Sequence, residues 1–332
     1  MSERNTRFEP VSIAAIIIAA LLLAIRISSA FSSAPSFEQS FEGKTISVQI
    51  GDMSVLSLEY RDYPGPLAHV AFINVHEDET AALAAGRALA EKHGGRVVAL
   101  HYGGGRRIQF AFRGAMYVVD ANRIYTPAGR AASMRMIPLN REIGGGRTNA
   151  DAAATGAGRA QSGSRQSSIE DPDDVLPSVT EQQIDSAAPG VTDSAALAEM
   201  QRFADLVLAS LEGFEIVVAL HNDSDGGWSV DSYLDEPDSA SAVYVAMDTD
   251  TDDFFIVTQR ADYDAITALQ MSCVLQNNGA SPDDGSLSDY FRSSPVRYIN
   301  CEAEDGEAER QGRMLEGLIP QLTPSIQPET TK

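Results

Sequence analysis

Two histidines stand at the ends of apolar runs, and a carboxylate follows the first of them at a spacing of three. The run at 69–75 (HVAFINV) leads into His76-Glu77-Asp78-Glu79, and the run at 214–220 (FEIVVAL) leads into His221. A short, continuous apolar run bounded by polar residues reads as a buried strand. In open α/β sheets, ligands gather just beyond the carboxyl ends of such strands. An H-x-x-E pair at a strand-to-helix turn lets an imidazole and a carboxylate face one point, and His221 would join them from a neighbouring strand. Two histidines and one carboxylate form a catalytic zinc set that leaves a fourth position for water. Zinc in such a set acidifies that water and polarises a carbonyl. His76, Glu79 and His221 are therefore the candidate Zn2+ ligands.

Two further segments add to this set. Asp120-Ala121-Asn122-Arg123 follows a strand-like run, and Glu302 follows the run VRYINC at 296–301. In order, H-x-x-E, D-x-N-R, a strand-end histidine and a late glutamate, the chain resembles the zinc carboxypeptidases. In spacing it is closest to the members of the aspartoacylase and succinylglutamate desuccinylase type. The resemblance spans about residues 44–318. It implies that Asn122 and Arg123 bind a substrate carboxylate, a role that suits the planar fork of arginine. It also implies that Glu302 moves the proton between water and the leaving amine. Glu304 competes with Glu302 for that part. Arg123 could instead pair with Asp120 or Glu142. The family's oxyanion arginine has no single match here, and Arg106, Arg107 and Arg113 are the candidates.

The elements that must position these residues follow from the patterning. Segment 44–60 reads as two short strands around a Gly51-Asp52 turn. Residues 79–93 (ETAALAAGRALAEKH) form a helix stopped by Gly94-Gly95, and 96–102 form the next strand. Strand-like runs follow at 108–112 and 116–119. The stretch 194–211 is an amphipathic helix stopped near Gly213, and strands are expected at 242–247, 254–258, 273–276 and 296–301. A helix at 307–318 closes the domain. The fold class expected is α/β, a mixed, mainly parallel sheet flanked by helices, with 41–140 and 193–320 forming one zinc-hydrolase-like domain. Residues 141–192, rich in Gly, Ala, Ser, Asp and Gln, read as a disordered low-complexity insertion. Residues 321–332 read as a tail.

Charge and the N-terminus bound the function. Asp and Glu total 47 against 25 Lys and Arg, a formal net charge of -22. Such a surface repels polyanions, so no nucleic-acid partner is expected. Arg4 and Arg7 precede an apolar run at 11–25, followed by Arg26 and then Ser28-Ser29-Ala30. This is the order of a secretory signal. Residues 1–40 are read as a signal peptide or membrane anchor with spacer, which places the domain outside the cytoplasm, in a periplasmic or extracellular setting. Cys273 and Cys301 could bridge there. The expected partner is a peptide or acylated amino acid bearing a carboxylate, a cell-wall peptide being one such class. An N-acyl amino-acid deacylase and a non-catalytic, membrane-tethered binding module are the rival readings. The next-best local motif, Asn222-Asp223-Ser224-Asp225-Gly226-Gly227, has the flavour of a calcium loop but lacks the remaining ligands, and reads as a turn on the site's rim.

Overall fold

The structure is a computed structural model. It describes residues 43–139 and 179–323, apart from 225, 226, 235, 237 and 248. The expected signal segment, most of the expected insertion and the end of the tail lie outside the described residues. Among the described residues no helix is long and apolar enough to cross a membrane.

A nine-stranded sheet runs through the domain in the order β1-β2-β4-β3-β8-β12-β10-β11-β9. Its first edge is a hairpin of β1 (Lys44–Ile50) and β2 (Ser54–Tyr63), turned at Gly51 with φ +61°. A Cβ at Gly51 would lie 2.3 Å from the Ala111 carbonyl oxygen, so the turn needs glycine for space as well as for conformation. The centre is a parallel block of β4 (Gly95–His101), β3 (Val70–Asn74), β8 (Ile216–Asp223) and β12 (Arg297–Glu304). All five residues of β3 are buried, as expected of a strand covered on both faces. The far edge consists of β10 (Phe254–Val257), β11 (Cys273–Gln276) and β9 (Ala240–Tyr244).

The sheet is mixed, but it is not mainly parallel. Four of its eight pairings are antiparallel. A second, three-stranded sheet of β5 (Arg107–Phe112), β6 (Ala115–Asp120) and β7 (Arg135–Pro138) is wholly antiparallel. For the two tight hairpins the cause is connection length. Parallel neighbours need a crossover of a dozen or more residues. The Gly51–Met53 link is too short for that, and so is Arg113-Gly114, whose φ angles of +51° and +79° suit a primed hairpin turn.

Helices cover both faces. On one, α1 (Thr80–His93) lies over β3, β4 and β8 and packs against the closing helix (Ala308–Leu322). On the other, the helix Ser194–Ser210 buries Met200, Phe203 and Val207 against Ile50, Leu56, Phe110 and Tyr117, joining the two sheets in one core. In chain order the remaining helices are α2 (Pro127–Ser133), α3 (Glu181–Ser186) and α5 (Arg260–Ala268). Ser194–Ser210 is α4, a short α6 spans Leu287–Phe291, and Ala308–Leu322 is α7. Residues 179–192 are built into the domain rather than loose: Ile184 and Val191 are buried, and Pro189 bridges to Arg135. The two cysteines do not bridge. Both are free and buried, and each pairs with Phe255 from opposite sides of β10. Two strand spacings, about 9–10 Å, exceed a disulfide's Cα reach.

Candidate metal centre

The parallel block delivers His76, His221 and Glu302 to one sheet end. His76 lies two residues beyond β3, and Glu79 is the N-cap residue of α1. A carboxylate there is favoured by the helix dipole. His221 sits near the end of β8, and in the parallel ladder it is paired directly with Glu302 of β12. The sheet end is tied together by Gln311 of α7, which is fully buried. Its Nε2 donates to the carbonyls of His221 (2.9 Å) and Cys301 (3.2 Å).

His76, Glu79 and His221 are all buried, and one ligand atom from each falls within 4.8 Å of the others. This group can hold a metal ion. Glu79 stands between the rings, with Oε1 2.7 Å from His76 Nδ1 and Oε2 3.1 Å from His221 Nδ1. His221 Nε2 is buried without a hydrogen-bond partner, an uncompensated cost in an interior that normally pairs its polar atoms. Two imidazoles and a carboxylate match the donors that zinc takes, and two of the three, His76 and Glu79, find side-chain support outside the set.

Asp120 supplies that support for His76. Its Oδ1 lies 2.9 Å from His76 Nε2 and accepts the Asn122 amide N–H at 2.7 Å, while Oδ2 accepts from Arg106 Nε at 3.1 Å. Arg106 also donates to Glu79 Oε1 at 3.2 Å. These contacts set the charges. Burial alone would lower the His76 pKa, but Asp120 and Glu79 outweigh it and raise it to about 9. Burial alone would raise Glu79, but His221 and His76 bring it down to about 2. Asp120 is held well below the usual carboxylate range because His76 and Arg106 outweigh its burial. In the metal-free protein, a protonated His76 is thus clamped between two carboxylates.

The neighbouring acids play other parts. Glu77 Oε2 accepts the backbone N–H groups of Tyr102, Gly103 and Gly104 at 2.7–3.0 Å, which fixes the glycine loop that presents Arg106. That explains the acidity of the His76–Glu79 turn without adding a ligand.

A cavity of about 370 Å³ opens beside the cluster, lined by His221, Glu302, Arg106, Asn122, Arg123 and Tyr233 among others. Glu302 is held by Asn300 Nδ2 (2.9 Å). Its pKa is raised by burial and by Glu79, against the opposing pull of His221, Asn300 and Arg106. Glu304 lies two residues further along β12, away from the cavity lining, with Oε2 3.9 Å from Arg310 Nη1. Of the three arginine candidates, Arg106 alone lines the cavity. Arg107 pairs with Asp185, and Arg113 stacks on Phe112. Arg123 does not pair with Asp120, and Glu142 lies outside the described residues. The Arg123 guanidinium meets Asp284 on the cavity wall, and Asn122 Oδ1 accepts the Leu287 N–H at 3.2 Å.

Other expectations resolve simply. His69, His93 and His101 make structural contacts away from the cluster, with the Leu322 carbonyl, Glu316, and the Glu59–Glu77 pair respectively. In the Asn222–Gly227 turn, Asn222 is buried in the fold, accepting from Ala82 N at 2.8 Å, while Asp223 lines the cavity rim. Near residue 250, Asp252 and Asp253 are buried, and Arg310 binds both Asp250 and Asp253. Sequence reasoning missed the support role of Asp120, although its place in D-x-N-R after a strand was the available signal. Asp283-Asp284-Gly285-Ser286 reads from sequence as a polar loop at a strand end, where substrate contacts often sit, but the sequence assigns Asp284 no role and no partner. No protein-family model matches this chain, and a search of curated proteins returns no match.

Proposed function

We propose that this chain is a zinc-dependent amide hydrolase of the carboxypeptidase-like kind, acting outside the cytoplasm on a peptide or amino-acid derivative. The observation that supports it above all is the pairing of Glu302 with His221 across adjacent parallel strands. It sets a carboxylate of raised pKa beside a buried His–Glu–His group, on the wall of a cavity. A binding module has no need of such a group.

His76, Glu79 and His221 would hold the zinc, which supplies Lewis acidity for the scissile carbonyl and acidifies water. The chain's own residues do the rest. Glu302 takes a proton from the attacking water as the new C–O bond forms, and returns it to the amide nitrogen as the C–N bond breaks. Its raised pKa makes it a stronger base than an exposed carboxylate, which suits a group that must accept a proton and then return it. Arg106 lines the same cavity, and its guanidinium is positioned to donate to the carbonyl oxygen as negative charge develops there. Asn122 and Arg123 form the cavity's polar wall, where the fork of Arg123 suits a substrate carboxylate. Export follows from the N-terminal segment, and with it a cell-wall peptide becomes the natural substrate class.

The test is metal content together with turnover. Purified protein should carry about one zinc per chain, removable by chelation, and should hydrolyse members of a panel of peptides and N-acyl amino acids only when loaded. Preference within the panel separates a carboxypeptidase from a deacylase. Full zinc occupancy in a His76→Ala, His221→Ala double variant would sink the assignment, and metal binding with no turnover across the panel would favour the binding module.

A further inference from the structure

The fork of Arg123 is already occupied. Asp284 Oδ2 meets Arg123 Nη1, and both side chains line the cavity beside Glu302. Exposed ion pairs usually contribute little, because two long side chains must be ordered to form them. Here the acidic partner is ordered in advance. The 283–287 loop is pinned to the segment that carries Arg123: Gly285 O accepts from Tyr125 N (2.9 Å), and Leu287 N donates to Asn122 Oδ1 (3.2 Å). Asp283 Oδ1 accepts from Thr126 Oγ1 (2.5 Å). Asp284 itself is fixed at both ends, its N–H donating to Asp289 Oδ2 (2.7 Å) and its Oδ1 accepting from Ser286 N (3.0 Å). Gly285 has φ +89°, and a Cβ there would lie 2.5 Å from the Arg123 carbonyl oxygen, so the loop lies directly on the Arg123 backbone. Burial would raise the Asp284 pKa, but Arg123, the hydrogen bond with the Asp289 side chain and the Ser286 contacts outweigh it and lower it.

We infer that Asp284 is an internal competitor for the carboxylate fork of Arg123, so that a substrate carboxylate binds only by displacing it. Asp284 is then a specificity-determining residue. It weakens binding of any free carboxylate in this cavity, and leaves an uncharged amide end at no such disadvantage. The inference rests on reading this cavity as the substrate site of an amide hydrolase.

The experiment measures binding, so its outcome is separate from that of the hydrolase reading. N-acetylglycine and N-acetylglycinamide are titrated calorimetrically into the full chain, with zinc and with chelator. Asp284→Asn keeps the acceptor for Ser286 N and removes the charge. We expect it to tighten N-acetylglycine binding about tenfold or more, about 1.4 kcal/mol, with the amide unchanged. The gain should vanish when Asp284→Asn is added to Arg123→Gln, the double variant being compared with the Arg123→Gln single variant that completes the cycle. Unchanged or weaker carboxylate binding in Asp284→Asn overturns the inference, as does a gain that persists in the double variant. Should thermal melting show that Asp284→Asn is unfolded, Asp284→Ser is read by the same criteria. Tightened binding in a protein that hydrolyses nothing would leave the inference standing and remove the hydrolase reading.

Discussion

Replacing Asp120 by Asn tests the proposed metal site and the tuning of His76. Asp120 sits 2.9 Å from His76 Nε2 and 3.1 Å from Arg106 Nε. An amide of the same shape has one acceptor for these two donors, so either His76 or Arg106 loses its partner. Loss of an outer carboxylate on a metal-bound histidine costs about 10–100-fold in metal affinity, about 1.4–2.7 kcal/mol. The same substitution also weakens the proton that competes with the metal. With His76 raised to about 9, only about one chain in a hundred has that ring free at pH 7. Lowering the pKa relieves this competition and offsets part of the loss. The full 10–100-fold deficit in zinc affinity should therefore appear at about pH 9.5, and should narrow as the pH falls toward 7. Competition against a chelator of known affinity measures it. The stability of the metal-free protein gives a second reading. A raised folded-state pKa stabilises fully below the unfolded value near 6.5 and is lost as pH rises through about 9. Metal-free wild type should lose stability over that window, and Asp120→Asn should lose less. Equal zinc affinity at pH 9.5, or a deficit that widens toward neutrality, would refute the reasoning.

Two further outcomes are expected. Glu302→Gln should fold, keep its zinc and lose about a hundredfold or more in kcat, whereas Glu304→Gln, facing Arg310 rather than the cavity, should stay within a fewfold of wild type; steady-state kinetics with metal analysis checks both, and the reverse pattern would displace Glu302 from its role. Gly285→Ala forces a strained φ and a 2.5 Å clash with the Arg123 carbonyl, so it should lower stability by about 1–3 kcal/mol in denaturant titration, and an unchanged midpoint would contradict the docked loop.

The central strands were legible because burial on both faces turns them into apolar runs, and the residues at their ends are therefore conspicuous. That is how His76, Glu79, His221 and Glu302 could be placed at one sheet end from sequence. The choice between Glu302 and Glu304 was not legible, since alternation points both to the same face; the ladder that pairs Glu302 with His221 separates them. Short elements such as α6 and β7 fell below the length at which a period can be read. The partner of Arg123 lies 161 residues away, and an ion pair at that separation leaves no mark on local composition. Strand direction was misjudged for a related reason. An apolar run shows that a strand is buried, while its direction depends on connections that return the chain within a few residues or carry it across the sheet.

The central position of β8 has a consequence for how the protein is made. Its neighbours β3 and β12 come from opposite ends of the domain, and β8 pairs with both. During synthesis, β3 emerges with an open edge that stays unpaired until the segment Ile216–Asp223 follows, well over a hundred residues later. Contacts of such separation form slowly, and an apolar edge left waiting invites pairing with another chain. His221 arrives on that same late strand, so the ligand set is incomplete until the edge is closed. On the proposed zinc reading, metal capture would wait for the step that closes this edge.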